Sequence, residues 1–527
     1  MEVTCRLLLL LLCLVASITD AKQHHHRQHN RRSHLQNERE KLNVLFLISD
    51  DLRAEVKPFH DQDQRPWLYD GIKTPNLERL ASKSFVFKKA YTQAPRCNPS
   101  RTSFLTGRRP DTTKVFNNGV FFRDSSEGHL VTLPEFFKHK GYHTRSIGKV
   151  FHAESSLYND AEFSWSDGFE AYSADGVNDK HDHSFYVVSE KEATDHPFGD
   201  LNSKNYAVKQ LQEYNKHYKN HGQHFFLAVG LKKPHLPFTV PDKHVNQYSL
   251  DDIGLAKNPH PANGTNIIAW PAAGEFVHYK DIEHYFKVNE YHMNSSMPDD
   301  VAKHLRKAYY GCVSFVDDLF GEIMKEMDDL NLWEDTVVVF MSDHGYHLGE
   351  GGVWGKNTIW EESLHVPLMV RIPGKSTAES EKLVELVDVY PTLVEAAGFG
   401  SIPVCPENGS DKKKLCTEGS SLMPLIEEKN ATWKDSVFSQ SVYPLYEGEI
   451  KYSGHTVRTG KHRYTEWVPF DGSLPHRWNE LVFSELFDLE NDPYQMSNKV
   501  NASEYKDVVE DMKQKLHSGW RASHPSL

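Results

Sequence analysis

Leu42-Asn43-Val44-Leu45-Phe46-Leu47-Ile48-Ser49-Asp50-Asp51 is a short, nearly continuous apolar run that stops abruptly on two carboxylates. A run without polar alternation is what a strand buried on both faces requires, and that places it centrally in a parallel sheet. Two further stretches share the form: Phe225 to Gly230, followed by Lys232-Lys233-Pro234-His235, and Thr336 to Met341, which runs straight into Ser342-Asp343-His344-Gly345. A shorter strand from His143 to Ile147 ends in Gly148-Lys149-Val150-Phe151-His152. Helices alternate with these strands. Thr74-Pro75 supplies an N-cap and a first-turn proline, a helix from Pro134 is stopped at Gly141, and Asp299 to Leu330 repeats Val301, Leu305, Ala308, Tyr309, Cys312, Val316, Leu319 and Ile323 at helical spacing. This order predicts an α/β fold, a large mostly parallel sheet flanked by helices. Ligands collect at the carboxyl ends of such strands, where Asp50, Asp51, Asp343 and His344 all fall.

The stretch from Ser155 to Asn202 is polar, aromatic and poorly periodic, and is expected as an irregular insert. Asp242 to Pro298, rich in Asn, Pro and His, reads as surface loop. After about Asn430 come short strand-like runs, Ser436 to Val442, Ser453 to Thr459, His462 to Val468 and Ser484 to Leu489, then a helix from Ser503 to Leu516. They predict a smaller C-terminal antiparallel sheet with a helix packed on it. The expected division is 1–21 signal peptide, 22–40 disordered His-rich linker or propeptide, 41–430 catalytic α/β domain, and 431–527 C-terminal α+β subdomain.

A chain of 527 residues can bury more than one core, and its formal net charge of −13 argues against a nucleic-acid partner or a broad basic face. Arg6, the apolar run Leu7 to Val15 and small residues up to Ala21 read as a secretory signal, with an apolar core too short to span a bilayer. No later stretch is long and apolar enough for a membrane helix. Sequons at Asn263, Asn294, Asn408, Asn430 and Asn501 suit an exported glycoprotein with these sites on its surface. Beyond the signal, Cys405 and Cys416 are close enough to close a small disulfide loop, and Cys312 lies in a helical pattern.

Cys97 is left over. It opens Cys97-Asn98-Pro99-Ser100-Arg101, continued by Thr102 to Pro110, where a proline suited to a first helical turn puts free N–H groups and the helix dipole beside the sulfur. A lone cysteine there is as often a buried small hydrophobe or half of a disulfide. An Asp-Asp pair more often caps a segment than binds metal, yet three carboxylates at two strand ends suit Ca2+ or Mg2+ better than zinc. Lys149, His152, His235 and Lys356 gain interest from position, each following a strand or the Gly-rich loop from Gly345 to Gly355.

Cys-x-Pro-Ser-Arg followed by Leu-Thr-Gly-Arg closely resembles the signature of the type I, formylglycine-dependent sulfatases. Asp50-Asp51-Leu52-Arg53, Gly148 to His152, Lys233-Pro234-His235, Ser342 to Gly345 with Leu348-Gly349-Glu350, Lys356, and His365-Val366-Pro367-Leu368 extend the resemblance from about Leu42 to Leu516. Within the family the strings are most similar to the enzymes that cleave the 2-O-sulfate of iduronate in heparan and dermatan sulfate. The resemblance implies an alkaline-phosphatase-like fold and oxidation of Cys97 by the formylglycine-generating enzyme. It implies one Ca2+ held by Asp50, Asp51, Asp343, His344 and the modified Cys97. It assigns Arg101 to fixing residue 97, and Lys149, His152, His235 and Lys356 to the sulfate. In that scheme His235, helped by Lys356, protonates the leaving alcohol, and His152 deprotonates the second hydroxyl of the aldehyde hydrate. The implied partner is a sulfated carbohydrate, and the implied location is lysosomal or extracellular. Asn357, where that branch has an aromatic residue, and the absence of an extra cysteine pair from the insert bear on the sugar. A different sulfated sugar, a phosphonate or phosphodiester substrate, and a non-catalytic glycan-binding protein are the alternatives.

Overall fold

The computed structural model describes residues 41–60, 71–126, 128–152, 159–170, 183–195, 197–271, 276–285, 291–428, 430–444 and 449–526. The expected signal peptide and His-rich segment lie outside them. The first run forms β1 (Asn43–Asp50), with all eight residues buried. Around it stand β2 (Phe85–Tyr91), β3 (His143–Gly148), β4 (Phe169–Glu170), β5 (Phe225–Pro234), β6 (Thr336–Ser342), β7 (His365–Arg371) and β8 (Ala378–Glu385) in the order β8-β2-β7-β6-β1-β5-β3-β4. Strand β1 pairs in parallel with β5 and β6, placing Leu47 beside Val229 and Phe340. Only β7 runs against its neighbours, β2 and β6.

Alternation of side chains splits β1 between two cores. Leu45 and Leu47 face α4 (Gly199–His221) and α5 (Asp299–Asp329), in a cluster holding Leu211, Leu305, Phe320 and Ile323. Val44, Phe46 and Ile48 face the other layer, with Phe104 of α2 (Cys97–Thr106), Phe137 of α3 (Leu133–His139) and Leu393 of α6 (Val389–Ala396). Helix α1 (Pro75–Ala81) begins at the predicted Thr74-Pro75, and α3 starts on a capping box between Thr132 and Glu135.

Two readings are corrected. The Ser155 to Asn202 stretch holds strand β4 on the sheet edge, a strand Phe185–Val188 paired with Phe238–Pro241, and the start of α4. Asp242 to Pro298 is irregular but not superficial, since Trp270, Phe276 and Val277 are buried in the α5-side core. Irregular backbone carries no periodicity, so its burial is decided by what packs over it.

At the C-terminal end β9 (Ser436–Tyr443), β10 (Tyr452–Thr459), β11 (His462–Pro469) and β12 (Phe483–Asp488) form an antiparallel meander under α7 (Lys506–Ala522). The α7 residues Met512 and Leu516 pack on Val457, Tyr464 and Leu486. Cys405 and Cys416 are joined by a disulfide, while Cys97 and Cys312 are free and buried. The five sequon asparagines are all exposed. Among the described residues no helix is long and apolar enough to cross a membrane.

Candidate active site

The carboxyl ends of β1, β5 and β6 and the first turn of α2 meet at one point. Cys97 is the first residue of α2, after an extended Arg96 that leaves the helix N-terminus open at the sulfur. Asp50 and Asp51 end β1, and Asp51 turns the chain with φ of 63°. Tyr309 of α5 holds that turn, its hydroxyl donating to the Asp51 carbonyl at 2.8 Å and accepting from the Arg53 N–H at 3.1 Å. Asp343 and His344 follow β6, and the Asp343 carbonyl accepts from the Ser100 hydroxyl, which tethers α2 to the strand end.

All ten predicted residues are brought together. The Asp50, Asp51, Cys97, Arg101, Asp343 and His344 side chains are wholly buried. Cys97 Sγ lies 3.3 Å from His344 Nε2, 3.6 Å from Asp50 Oδ1, and 3.7 Å from both Lys149 Nζ and Lys356 Nζ. Lys149 also pairs with Asp50, and Lys356 Nζ donates to Asp51 at 2.9 and 3.1 Å. Arg101 Nε donates to Asp343 Oδ2 at 2.8 Å, its Nη2 faces Asp50 at 3.5 Å, and Nη1 reaches the Lys149 and Val150 carbonyls. His235 donates from Nδ1 to the Leu236 carbonyl, so Nε2 points toward Asp51 Oδ2 at 4.0 Å. His152 stands beside Cys97, with Nδ1 buried and without a hydrogen-bond partner among the described residues. Lys149 and His235 each keep 14% of their side chain exposed, so they line the mouth that an incoming molecule meets.

The electrostatics are those of a site that gathers negative charge. Against the penalty of burial, Lys149, Lys356 and His344 hold the Cys97 thiol well below its ordinary value. Burial pushes the Asp51 and Asp343 carboxyls up. Asp50 is held down by Lys149, His235 and Arg101, although burial and Cys97 oppose this. Burial and the Lys149 charge depress His152, which keeps its imidazole neutral.

Asp50, Cys97, Asp343 and His344 present ligand atoms all within 4.8 Å of one another, and Asp51, Cys97 and His235 form an overlapping group. His344 donates from Nδ1 to the Gly345 carbonyl at 3.0 Å, which leaves Nε2 for the site. Two buried carboxyls pushed up despite adjacent lysine and arginine are a donor set that a further cation satisfies, and their oxygens fit a hard divalent ion.

Sequence reasoning missed the groups that hold this set in place. Arg53 and Arg306 clamp Glu350 at 2.9 and 3.1 Å, fixing the loop that delivers Lys356. Tyr309 reads in the sequence as one more core aromatic, and nothing in the helical spacing reveals its hydroxyl's task. Arg53 and Glu350 both stand in family-like strings, but nothing in the sequence pairs residues so remote in the chain, with Arg306 a third partner from α5.

A mostly parallel sheet with a buried cysteine, carboxylates and cations gathered at its strand ends is the architecture of the alkaline-phosphatase-like class. The chain belongs to the sulfatase family: the family model described as Sulfatase matches residues 42–399, and one described as N-sulphoglucosamine sulphohydrolase, C-terminal, matches 349–521. It is a sulfuric ester hydrolase. It is 31% identical to iduronate 2-sulfatase of Mus musculus over 527 aligned positions, covering 90% of this chain and 93% of that one. Iduronate 2-sulfatase of Homo sapiens is also 31% identical, covering 89% and 93%. Among solved structures, a protein in complex with its substrate D-glucosamine-2-N,6-O-disulfate superposes with a TM-score of 0.66 at 18% identity, covering 92% of this chain and 99% of that one.

Proposed function

We propose that the protein hydrolyses the 2-O-sulfate of iduronate in heparan or dermatan sulfate, acting from the chain end. The observation that carries the reaction is the convergence of Lys149, Lys356 and His344 on one buried Cys97 backed by three buried carboxylates. The sugar rests on 31% identity to iduronate 2-sulfatases over nearly the whole chain.

In this reading Cys97 is oxidised to formylglycine by the formylglycine-generating enzyme, and Asp50, Asp51, Asp343 and His344 hold Ca2+. When both are in place, the hydrated aldehyde supplies a hydroxyl nucleophile and the cation adds positive charge. The chain's own side chains do the rest. Lys149 and Lys356, each 3.7 Å from Cys97 Sγ, bind the sulfuryl oxygens and offset their charge. His235, oriented through Nδ1, presents Nε2 to the departing sugar alcohol as its proton donor. His152, neutral beside residue 97, takes up the proton released there. Arg101 touches Asp343 and Asp50 and keeps them fixed. Residues 41–430 would form the catalytic domain and 431–527 the C-terminal subdomain. The disulfide, the exposed sequons and the signal-like first 21 residues support passage through the secretory route to a lysosomal or extracellular location.

The test is sulfate release from disaccharides on protein made in a secretory host. A 2-O-sulfated uronate should be cleaved, with 6-O-sulfated glucosamine and aryl phosphodiesters far slower, and the Cys97 peptide should carry the aldehyde mass. Faster cleavage of another sulfated sugar would overturn the sugar assignment. An unmodified Cys97 in active protein would overturn the mechanism.

A further inference from the structure

We propose a second metal site, for a zinc-class divalent cation, formed by Asp111, His455 and His476 where the C-terminal sheet meets the segment that follows α2. The ligand atoms of these three residues lie within 4.8 Å of one another. They come from remote parts of the chain. Asp111 follows Arg108-Arg109-Pro110, His455 sits on β10, and His476 lies between β11 and β12. Their meeting is therefore a product of the fold.

The local arrangement is that of a built site. The two imidazole rings stand 4.0 Å apart, and the His476 side chain is only 8% exposed. His476 Nε2 donates to Asp111 Oδ2 at 2.9 Å, while His476 Nδ1 is buried with no hydrogen-bond partner among the described residues. Gln440 donates to the other Asp111 oxygen at 2.8 Å, and Ser453 pairs with His455 Nε2 at 2.9 Å. These outer partners orient the carboxylate and the ring, as groups behind metal ligands do. The three line a cavity of about 200 Å3 together with Arg109, Trp478 and Trp520.

Two imidazoles and one carboxylate, with space for a fourth ligand, suit zinc and its first-row neighbours, whereas Ca2+ takes six to eight oxygens. Ligand atoms around a tetrahedral zinc stand roughly 3.3 Å apart, so rotations about side-chain bonds close the set. The site is distinct from that at Cys97: it shares no residue with the Cys97 set, and its cavity is lined by Gln93, Arg109 and Gln440 instead. An ion here would tie β10 and the β11–β12 connection to the segment that follows α2.

The test compares the full-length protein with its His476→Gln and Asp111→Asn variants, each stripped with chelator and titrated with Zn2+ under excess Ca2+. Wild type should bind one more zinc than either variant, and zinc should raise its thermal midpoint by a few degrees while leaving the variants unmoved. The His-rich stretch at His24 to His29 is common to all three proteins and drops out of the difference. Zinc-edge anomalous diffraction from wild-type crystals should place the ion between Asp111, His455 and His476, a readout that does not depend on any variant folding. Equal zinc stoichiometry in all three proteins, or no anomalous peak at these residues, would overturn the proposal.

Discussion

Lys356 and Lys149 stand the same 3.7 Å from Cys97 Sγ but are embedded differently. Lys356 is 3% exposed and spans both oxygens of the buried Asp51, whereas Lys149 reaches Asp50 from the mouth of the site. Lys356 therefore compensates a carboxylate that burial already pushes up, and in the proposed reaction it would also hold charge on the substrate. Lys356→Met should lower kcat/KM for sulfate release by about 100- to 1,000-fold, the range for losing one preorganised charge contact. With divalent cations removed it should also lower stability by about 3–5 kcal/mol, the usual result of orphaning a buried charge. Lys356→Arg should recover the thermal midpoint but not the rate, because the guanidinium cannot reproduce a point contact to both Asp51 and a sulfuryl oxygen. A full-rate Arg variant would show that charge alone, without placement, is what this position supplies. Cys97→Ala should remove sulfate release by about five orders of magnitude or more, as expected for a lost nucleophile.

At the scale of elements, the site depends on how closely two strand ends approach. Lys149 follows β3, and its N–H donates to the Gly230 carbonyl of β5 at 2.8 Å. A Cβ at Gly230 would overlap the Lys149 carbonyl oxygen, and Gly148 turns there with φ of 70°. Gly230→Ala should displace the Lys149 to His152 segment, costing about 1–3 kcal/mol from overpacking and roughly 100-fold in rate for a 1 Å misplacement. Thermal unfolding and sulfate release measure the two effects, and unchanged kinetics would mean the segment is held from elsewhere. The same elements show why much of the site was readable. Strands β1, β5 and β6 are buried on both faces, so they appear as apolar runs whose polar ends, Asp50, Asp51, His235, Asp343 and His344, stand out. Strand β7 looks similar in sequence, but its antiparallel direction depends on connections that no local pattern records. Helix α4 is largely polar, with apolar residues confined to a narrow stripe, and Trp270 and Phe276 are buried within irregular chain. In both cases the partner surface, absent from local sequence, decides the outcome.

The whole molecule is held across its two sheets by buried polar groups rather than by apolar contact alone. Glu361, just before β7, accepts from the Tyr91 hydroxyl at 3.0 Å and from Arg463 and Arg458 of the C-terminal sheet. Beside it, Trp360 Nε1 donates to Glu485 Oε2 of β12 at 3.3 Å, a hydrogen bond that favours the ionised carboxylate but does not offset its burial. Burial lifts Glu485 from 4.5 to about 7. A carboxyl raised in the folded state binds its proton more tightly there than in the unfolded chain. Between pH 4.5 and about 7 the folded protein therefore carries the extra proton, and stability falls as pH rises through that window. Below pH 4.5 both states are protonated and no penalty exists; above about 7 it is complete, on the order of 3 kcal/mol. Glu485→Gln keeps an acceptor for Trp360 and removes the titration. Its unfolding midpoint should exceed the wild type's at pH 8 and match it at pH 4. Parallel pH–stability curves for the two proteins would place the docking of the C-terminal sheet under other titrating groups, with Asp388 and Glu385 at Lys434 and Arg109 the next pairs to vary.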